Sequence, residues 1–450
     1  MDIFAHKYKE IIISTMKNQS ADIIIIGGGA SGLMAACATA GSGKSVILLE
    51  KMPRPGRKIM ITGKGRCNFT NVKPWNEFCR HIHPKPDFLK PSFYNLDPEK
   101  TIELMRSHGM ESVVERGDRA FPASHLSSDV VDTLKIAAEK AGVRISCAKE
   151  AQAIVHSPKE GFSIQCTDGS SYICSKLIIC TGGMSYPQTG SNGDGYRWAK
   201  DFGHTVHQLF PSLTAIVPSC YKTGESLSDL KGHIPRSVCL SEAGRELCGN
   251  DLKNIRLSII IDGNTAMEEF GDLQFTDGGI EGPIGFKVSR KCVNAIINGS
   301  KVTAVIDMKP AVEATTLTAR IMSLWEDICK DRKHRTKTYK ERFKVLLSQV
   351  LPTSLISGFI RTNPNTDHKT LAKVLKNWKF EIKGYVGYER SVITAGGIAC
   401  NEINPKTMES KLVDGLYFAG EIMDLDADTG GYNLQIAFST GFLAGKNASK

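Results

Sequence analysis

Residues 23–50 read IIIIGGGASGLMAACATAGSGKSVILLE, and the architecture of the chain follows from this segment. The run Ile23–Ile26 is apolar on both faces and stops at glycines, as a buried strand of a parallel sheet does. The small residues of Leu33–Ala40 then predict a helix, and Val46–Leu49 predicts a second buried strand that ends in Glu50. The segment therefore predicts a β-α-β unit on a parallel sheet.

The turn of this unit, Gly27–Gly32, matches the pattern G-x-G-x-x-G between a strand and a helix. In a dinucleotide site Gly27 permits the tight turn, Gly29 lets a pyrophosphate reach the backbone, and Gly32 lets helix and strand pack closely. Free N–H groups at the helix N-terminus attract the anion. Eighteen residues after Gly32, Glu50 is placed to accept hydrogen bonds from the ribose hydroxyls. The segment thus predicts a dinucleotide-binding unit.

The composition excludes several other classes of protein. With 41% hydrophobic and 23% charged residues in 450, the chain is neither disordered nor collagenous nor a many-span membrane protein. Its 13 cysteines show no C-x-x-C or Cys/His ligand spacing, so we expect no disulfide framework and no metal site, and a cytoplasmic location. The apolar stretch Ala21–Ala40 contains Asp22 and several glycines, and we therefore do not expect it to span a membrane.

The formal charge of +10 is unevenly distributed along the chain. The segment Lys330–Lys344 reads KDRKHRTKTYKERFK, which contains eight Lys or Arg residues and two acids, a net charge of +6. Such a run is usually a solvated helix face or loop. The alternative is attraction of an acidic ligand, a nucleic acid or an anionic membrane surface.

The pattern of apolar residues changes twice along the chain. Leu177–Cys180 and Leu416–Ala419 are short apolar runs with glycine close behind, and they predict further strands of the same sheet. Between them, β-like segments give way to helical spacing. The helical faces are Leu317, Ile321, Leu324, Trp325 and Ile328, then Phe343, Leu346, Leu347 and Val350, then Leu371, Val374, Leu375 and Trp378.

These changes predict the domain organisation. Residues 1–20 form an unstructured lead, with Met16 as an alternative start. A dinucleotide-binding domain is split into residues 21–210 and 385–450. The interruption consists of a β-barrel subdomain at 211–310 and a helical subdomain at 311–384.

The stretch Gly415–Gly445 repeats the order strand, glycine, acid, and opens a helix at about Asn433. In a flavin site an acid near Asp424 can bond the ribityl chain. The N–H groups of Asn433, Leu434 and Gln435, with the positive end of the helix dipole, can face the N1/C2=O edge of the flavin. An ordinary final strand and helix would explain the apolar residues, but not the glycine pair before Asn433. The stretch therefore favours a flavin.

Six sequence blocks carry a family resemblance: Gly56–Asn71 (GRKIMITGKGRCNFTN), Phe121–Ser124, Thr181–Gly195, Phe275–Pro283, Thr394–Gly397 and Gly420–Asn433. With them the chain resembles the aminoacetone-oxidase-like, or BaiN-like, family of FAD-dependent flavoproteins over about residues 21–445. The resemblance implies an α/β fold, namely a Rossmann-like, glutathione-reductase-like FAD-binding domain interrupted by an inserted β-barrel subdomain and a small helical bundle. One departure is Glu281, where the family commonly has Ser.

The motifs and the resemblance together give the residues expected to contact FAD. They are Gly27, Gly29, Ala30, Ser31, Gly32, Glu50, Lys51, Arg57, Lys58, Gly65, Arg66, Cys67, Thr181, Gly182, Gly420, Glu421, Asp424, Gly431, Tyr432, Asn433, Leu434 and Gln435.

Four residues are candidates for catalysis. Cys67 is either a redox-active thiolate, its pKa lowered by Arg66, or a small residue packed near the flavin. Tyr186, His125 and Tyr432 are polar rings in the motif blocks, and each either donates a proton opposite flavin N5 or forms a structural hydrogen bond.

The sequence thus predicts an FAD-dependent oxidoreductase that passes a hydride through flavin N5 to or from a small organic molecule. The resemblance implies either amine oxidation or reduction of an enone or alkene. A second G-x-G-x-x-G unit for NAD(P)H is missing, so either a nicotinamide docks transiently or oxygen is the electron partner. The alternatives are a flavoprotein that acts on or docks to RNA, which the sequence favours less, and a non-catalytic flavin redox sensor.

Overall fold

The computed structural model describes residues 19–223 and 232–450. They form two compact units, of which one runs to Leu209 and resumes at Ile393–Lys450, and the other is Phe210–Val392. The lead predicted at residues 1–20 lies outside the described residues except for its last two, which begin the first strand.

The strands fall into three stretches of the chain. The first contains β1 (Gln19–Ile26), β2 (Val46–Glu50), β3 (Thr70–Asn71), β4 (Ile82–His83), β5 (Ser112–Glu115), β6 (Arg119–Pro122), β7 (Arg144–Cys147), β8 (Ala151–Ser157), β9 (Gly161–Cys166) and β10 (Ser171–Ile179). The second contains β11 (Phe210–Ser212), β12 (Ile216–Pro218), β13 (Asp251–Ile261), β14 (Asn264–Thr276), β15 (Gly279–Glu281), β16 (Val302–Asp307) and β17 (Trp378–Tyr385). The third contains β18 (Ile393–Ala395), β19 (Leu416–Phe418) and β20 (Asp426–Ala427).

The helices are distributed over both units. Those before the second unit are α1 (Ala30–Cys37), α2 (Arg57–Ile61), α3 (Trp75–Phe78), α4 (Pro86–Asn95), α5 (Pro98–Ser107), α6 (Ser127–Lys140) and α7 (Asp194–Asp201). The second unit contains α8 (Glu242–Leu247), α9 (Gly282–Ile297), α10 (Ala314–Lys330), α11 (Tyr339–Val350), α12 (Ile356–Thr362) and α13 (Leu371–Lys376), and the chain ends with α14 (Tyr432–Ala448). No helix in these described stretches is long and apolar enough to cross a membrane.

The first unit is built on a parallel sheet. Its strands lie in the order β7-β2-β1-β10, β19 pairs with the end of β10, and β9 and β8 extend the sheet in antiparallel pairing. Ile26 lies opposite both Leu49 and Ile179, and Ile179 lies opposite Phe418. Four strands therefore end at one edge of the sheet. The predicted β-α-β unit and the Rossmann-type sheet are confirmed.

Helix α1 lies against α14, and small residues make the approach close. A Cβ atom added at Gly441 would lie 2.2 Å from the carbonyl oxygen of Ser31, and one added at Gly445 would lie 2.1 Å from that of Ala35. Backbone of one helix thus touches backbone of the other. The C-terminal helix is consequently part of the core of the first unit.

The second unit is a closed six-strand barrel with helices. Its strands lie in the order β12-β15-β14-β13-β16-β17, and β17 closes the barrel by pairing with both β16 and β12. The 16-residue helix α9 lies within the region 211–310, where the sequence pattern predicted strands alone. The predicted barrel is confirmed, but it draws one of its strands from the region predicted to be helical.

That strand is β17, and the helical prediction for Trp378 is wrong. Helix α13 ends at Lys376, and Trp378 is the first residue of β17. Alternate residues of the strand are buried, and Trp378 and Phe380 contact the ring of Phe275 inside the barrel. Because this period of two spans only eight residues directly after a helix, the helical spacing before it masked the strand.

Glu281, which departs from the family pattern, is buried at the end of β15. Its Oε1 lies 2.8 Å from Nε of Arg390, and Arg390 also contacts Asp277. Burial raises the pKa of Glu281, while the guanidinium acts in the opposite direction. The carboxylate therefore takes part in a buried ion pair that a serine could not form.

We expect Gly445→Ala to destabilise the first unit, because its Cβ would overlap the Ala35 carbonyl of α1. The cost of separating the two helices is about 1–3 kcal/mol, measurable as a lower midpoint of thermal unfolding. Lys446→Ala, an exposed change in the same helix, is the control and should leave the midpoint unchanged. Equal midpoints for both variants would contradict the close packing of α1 and α14.

Candidate functional site

The candidate site lies where β1, β2, β10 and β19 end. Gly27 N–H donates to the carbonyl of Leu49 at 2.8 Å, and Cys180 N–H donates to that of Ile26 at 2.8 Å. Glu50 is the last residue of β2, and the residues that follow the other strands include the glycine turn, Thr181 and Gly420. The carboxyl edge of a parallel sheet is where such folds bind ligands.

The three pattern glycines have different surroundings. Gly27 has φ of 102°, and a Cβ atom there would lie 2.5 Å from the carbonyl oxygen of Cys180. At Gly32 the Cβ atom would lie 1.8 Å from the carbonyl oxygen of Gly27, so only glycine permits this contact. At Gly29, by contrast, nothing lies within 4 Å of the added atom. The turn is therefore packed on one side and open at Gly29.

Glu50 is held by backbone amides. Its Oε2 accepts from Gly28 N–H at 2.7 Å, and its Oε1 accepts from Met52 N–H at 2.7 Å. The carboxyl group is buried, and this burial raises its pKa. Because each carboxylate oxygen has a second lone pair, the group can still accept a ribose hydroxyl. The neighbouring Lys51 forms an ion pair with Asp194 at 3.1 Å.

A charged network joins four segments of the chain. Lys58 Nζ lies 2.7 Å from Oε2 of Glu421 and also contacts the hydroxyl of Ser185. The Ser185 hydroxyl donates to Oε1 of Glu421 at 2.6 Å, and Thr394 N–H donates to the same oxygen at 2.8 Å. Sequence reasoning missed Ser185 and Thr394, although both lie in the motif blocks. Arg57, beside Lys58, begins α2.

The last helix begins at Tyr432, one residue before the predicted start, with Gly431 as its N-cap. The side chain of Asn433 bonds the backbone of Ala427 in both directions, at 2.8 and 2.7 Å. Gln435 N–H is 3.2 Å from the carbonyl of Gly431. The helix therefore offers the first-turn N–H groups of Tyr432, Asn433 and Leu434 to a ligand.

The side chain of Gln435 forms hydrogen bonds within the protein core. Its Nε2 lies 2.9 Å from the Leu96 carbonyl, 3.0 Å from the Thr101 hydroxyl and 2.9 Å from the Ser439 hydroxyl. The side chain is fully buried in this network. Gln435 thus anchors the helix that carries the predicted flavin contacts. Asp424 is paired differently, with Oδ2 2.7 Å from Nδ1 of His207.

Two buried oxygen atoms near these elements lack a partner among the described residues: Asn68 Oδ1 and Thr181 Oγ1. Asn68 Oδ1 lies close to Gly431, where a Cβ atom would be 2.9 Å away. Thr181 lies two residues after the end of β10 and precedes Gly182, whose φ is 72°. Because buried polar atoms are normally hydrogen-bonded, a polar ligand at this edge of the sheet fits both.

Cys67 is fully buried, and burial raises the pKa of its thiol to about 12. The Arg66 guanidinium is paired with other groups than the thiol, since it contacts Glu115 and lies 2.9 Å from Nδ1 of His125. It also lies 4.5 Å from the ring of Phe121. These surroundings support the interpretation of Cys67 as a small packed side chain over the redox-active one, and the choice between the two stays a prediction. Gly65, before this pair, has φ of 87°.

The three polar rings lie in different surroundings. His125 is exposed beside Arg66, and Tyr186 precedes the short 3-10 turn Pro187–Thr189. Tyr432 is 3% exposed and stacks on His81 at a ring distance of 4.3 Å. Burial raises the pKa of Tyr432 to about 12.

Sequence reasoning missed a histidine pair beside Tyr432. His81 Nδ1 lies 2.9 Å from Oδ2 of Asp428, and His83 Nε2 lies 3.5 Å from its Oδ1. The pairing of β4 with β20 brings them together. Since these strands have two residues each, no periodicity in the sequence could indicate the contact.

A parallel sheet with this glycine turn and acid at its carboxyl edge defines the class of Rossmann-type dinucleotide-binding proteins. The chain belongs to the family described as the HI0933-like protein Rossmann domain, whose model matches residues 21–447. The family resemblance is thereby confirmed. The protein is an FAD-dependent oxidoreductase, and its cofactor is FAD.

Similar proteins were found among characterised enzymes and solved structures. The chain is 28% identical over 439 residues to 3-dehydro-bile acid delta(4,6)-reductase of Clostridium scindens, covering 95% of this chain and 98% of that one. It is 29% identical over 421 residues to ribosomal RNA dihydrouridine synthase of Escherichia coli, covering 93% and 96%. A structure of 3-ketosteroid-delta4-(5alpha)-dehydrogenase from Rhodococcus jostii aligns with a TM-score of 0.47 and 14% identity, covering 97% and 98%.

The residues at the carboxyl edge fit FAD. Open space at Gly29 beside the N-terminus of α1 suits the pyrophosphate, and the buried carboxylate of Glu50 suits the ribose. The unpaired oxygens of Asn68 and Thr181 and the first N–H groups of α14 suit the polar groups of the flavin. These individual contacts remain predictions.

We expect Gly29→Val to fold without FAD. Its φ of −79° suits valine and the protein leaves room for the side chain, but that room is where the pyrophosphate is predicted to lie. The wild type should be yellow, with one FAD per chain. Flavin absorbance after desalting measures the loss, and circular dichroism checks the fold. The exposed change Ala40→Val should keep the cofactor. A yellow Gly29→Val protein would contradict the predicted contact.

We expect the thiol of Cys67 to resist alkylation in the folded protein. With a pKa of about 12, about one thiol in ten thousand is ionised at pH 8. Iodoacetamide labelling followed by peptide mass spectrometry measures this, with the exposed Cys239 as the reactive control. Cys67→Ala should retain FAD and its reduction. Labelling of Cys67 as fast as Cys239 would instead support the redox-active interpretation.

Proposed function

We propose that the protein saturates a C=C bond conjugated with a carbonyl group, using a hydride from reduced FAD. One observation carries the proposal: two enzymes similar to nearly the whole chain bear names that describe saturation of a C=C bond. One is a delta(4,6)-reductase of a 3-dehydro bile acid, and the other makes dihydrouridine. In both substrates the double bond is conjugated with a carbonyl group, which makes the alkene carbon farther from that carbonyl electrophilic.

The reaction needs two electrons and two hydrogens for each double bond. When bound and reduced, the flavin would supply the hydride for the carbon remote from the carbonyl, and a proton would be needed at the carbon beside it. We propose Tyr432 as the proton donor. Burial raises the pKa of Tyr432 to about 12, so the hydroxyl carries the proton that the reaction needs. His81, stacked on its ring and paired with Asp428, holds it in place.

The charged network of Lys58, Ser185 and Glu421 has a supporting role in this proposal. It ties α2 to the ends of β10 and β19, where the flavin contacts are predicted. A rigid frame preserves the distance between hydride donor and acceptor, on which transfer depends. The reductant for the flavin is proposed to be a nicotinamide that docks transiently.

The test separates reduction of the flavin from its reoxidation. Anaerobic protein is reduced with NADH, NADPH or light, then mixed with a 4-en-3-one steroid, a uridine-containing RNA or oxygen. We expect rapid reoxidation by a conjugated C=C compound, with a product two mass units heavier, and none by the matched saturated ketone. Reduction by amines, followed by reoxidation with oxygen alone, would instead support an amine oxidase. No reaction with any pair would support a flavin sensor.

Tyr432→Phe provides a matched variant for the same assay. We expect it to keep FAD and the rate of flavin reduction but to slow reoxidation by about 100-fold or more, since the donor hydroxyl is gone. The solvent deuterium isotope effect on reoxidation should change as well. If reoxidation is unaffected while Tyr186→Phe slows it, the proton donor is Tyr186.

A further inference from the structure

The second unit carries a basic surface between α10 and α11. Lys330 ends α10, a 3-10 turn follows at Arg332–His334, and Tyr339 begins α11. Most of these side chains are exposed. We define the basic turn by its cations: Arg332, Lys333, Arg335, Lys337, Lys340 and Lys344.

The two acids of this segment are used to cap the backbone. Asp331 Oδ1 accepts from Lys333 N–H at 2.8 Å, and Glu341 Oε2 accepts from Thr338 N–H at 2.7 Å. Within the part of the chain that the structure describes, no carboxylate lies within ion-pair distance of the six cations of the basic turn. Their charge is therefore available to an anionic partner.

An aromatic cluster lies among these cations. Trp325 of α10 stacks on His368 at 4.5 Å with 12° between the rings, and the ring of Tyr339 lies 5.1 Å from that of Trp325. The Tyr339 hydroxyl lies 3.1 Å from Nδ1 of His368. Tyr339 is nevertheless 47% exposed, and Lys340 follows it directly. The cluster thus presents a supported aromatic ring inside a positive surface.

We infer that the basic turn and Tyr339 form a docking surface for RNA. The lysines and arginines would contact phosphates, and the exposed ring would stack on an unpaired base. Uracil contains a C=C bond conjugated with a carbonyl, so an RNA held by this surface would also carry a substrate of the class proposed above. That second statement rests on the proposed function, whereas RNA docking itself does not.

RNA explains the surface better than other anionic partners. A membrane surface would call for several exposed apolar side chains to insert, but among the described residues Tyr339 is the one strongly exposed large apolar side chain in this segment. An acidic peptide would pair its carboxylates with the cations, but it would leave the exposed ring of Tyr339 without a stacking partner. Single-stranded RNA uses phosphate contacts and base stacking together.

An open depression of about 460 Å³ along α11 adds to the surface. Its lining combines Lys337, Lys344 and Glu341 with the apolar side chains of Val345 and Ile356. Such a depression can receive a base next to the cations that hold its phosphate.

The experiment measures binding of a fluorescein-labelled RNA stem-loop with unpaired uridines to the FAD-loaded full chain, by anisotropy over a series of KCl concentrations. We expect Lys333→Glu/Arg335→Glu/Lys337→Glu to weaken binding at least ~10-fold and to reduce the log–log salt slope by about two. The matched control is Lys90→Glu/Lys159→Glu/Lys200→Glu, with the same charge change at exposed positions of the first unit. It should bind within about twofold of the wild type.

Tyr339 is tested separately from charge. Tyr339→Ala should weaken binding about fivefold or more without changing the salt slope, because stacking is lost while phosphate contacts remain. Tyr339→Phe should bind like the wild type, since the ring is kept. Equal binding by all variants would overturn the inference. Binding to phosphatidylserine vesicles but not to RNA would assign the surface to a membrane instead.

The same variants are assayed for flavin reoxidation by the enone, which should be unchanged. Normal enone reduction without RNA binding would overturn docking and leave the proposed function intact. RNA binding without reduction of any conjugated C=C bond would overturn the proposed function and leave RNA docking intact.

Discussion

The contact between Gly32 and the carbonyl of Gly27 is the constraint on which the rest of the first unit depends. It draws the start of α1 against the end of β1 at a distance that no side chain allows. With α1 in that place, the backbone at Gly29 faces open space, and the outer face of the helix receives Gly441 and Gly445 of α14. A single close approach therefore positions both the first helix and the last one at the carboxyl edge of the sheet.

The site combines rigid backbone with buried charge. Glu50 is fixed by two amides, while Lys58, Ser185 and Glu421 bind one another across segments far apart in the sequence. Removing one member of such a network leaves the others short of a hydrogen-bond partner in a largely buried site, which costs more than the hydrogen bond itself. A substitution at any one of these residues is therefore destabilising, and the network holds the edge of the sheet in one conformation.

Much of this was accessible from the sequence because it is local. The glycine turn, the strands beside it and the helix after Gly431 are each encoded within a few neighbouring residues. Trp378 was assigned to the wrong element because barrel closure is a long-range event, in which β17 pairs with β16 and β12. The raised pKa of the Cys67 thiol was inaccessible from the sequence for a similar reason, since it comes from burial, which the adjacent Arg66 does not indicate. His81 and Asp428 meet only through tertiary structure.

The pairing of β16 with β17 has a consequence for how the second unit can change during evolution. Ile306 lies opposite Trp378, so the segment between these strands, with all of α10 to α13, leaves and re-enters the barrel at neighbouring points. The entropic cost of closing a loop grows only slowly with its length. Such a segment can be lengthened, shortened or exchanged without opening the barrel. Related enzymes could therefore acquire different recognition elements there while inheriting the same redox core.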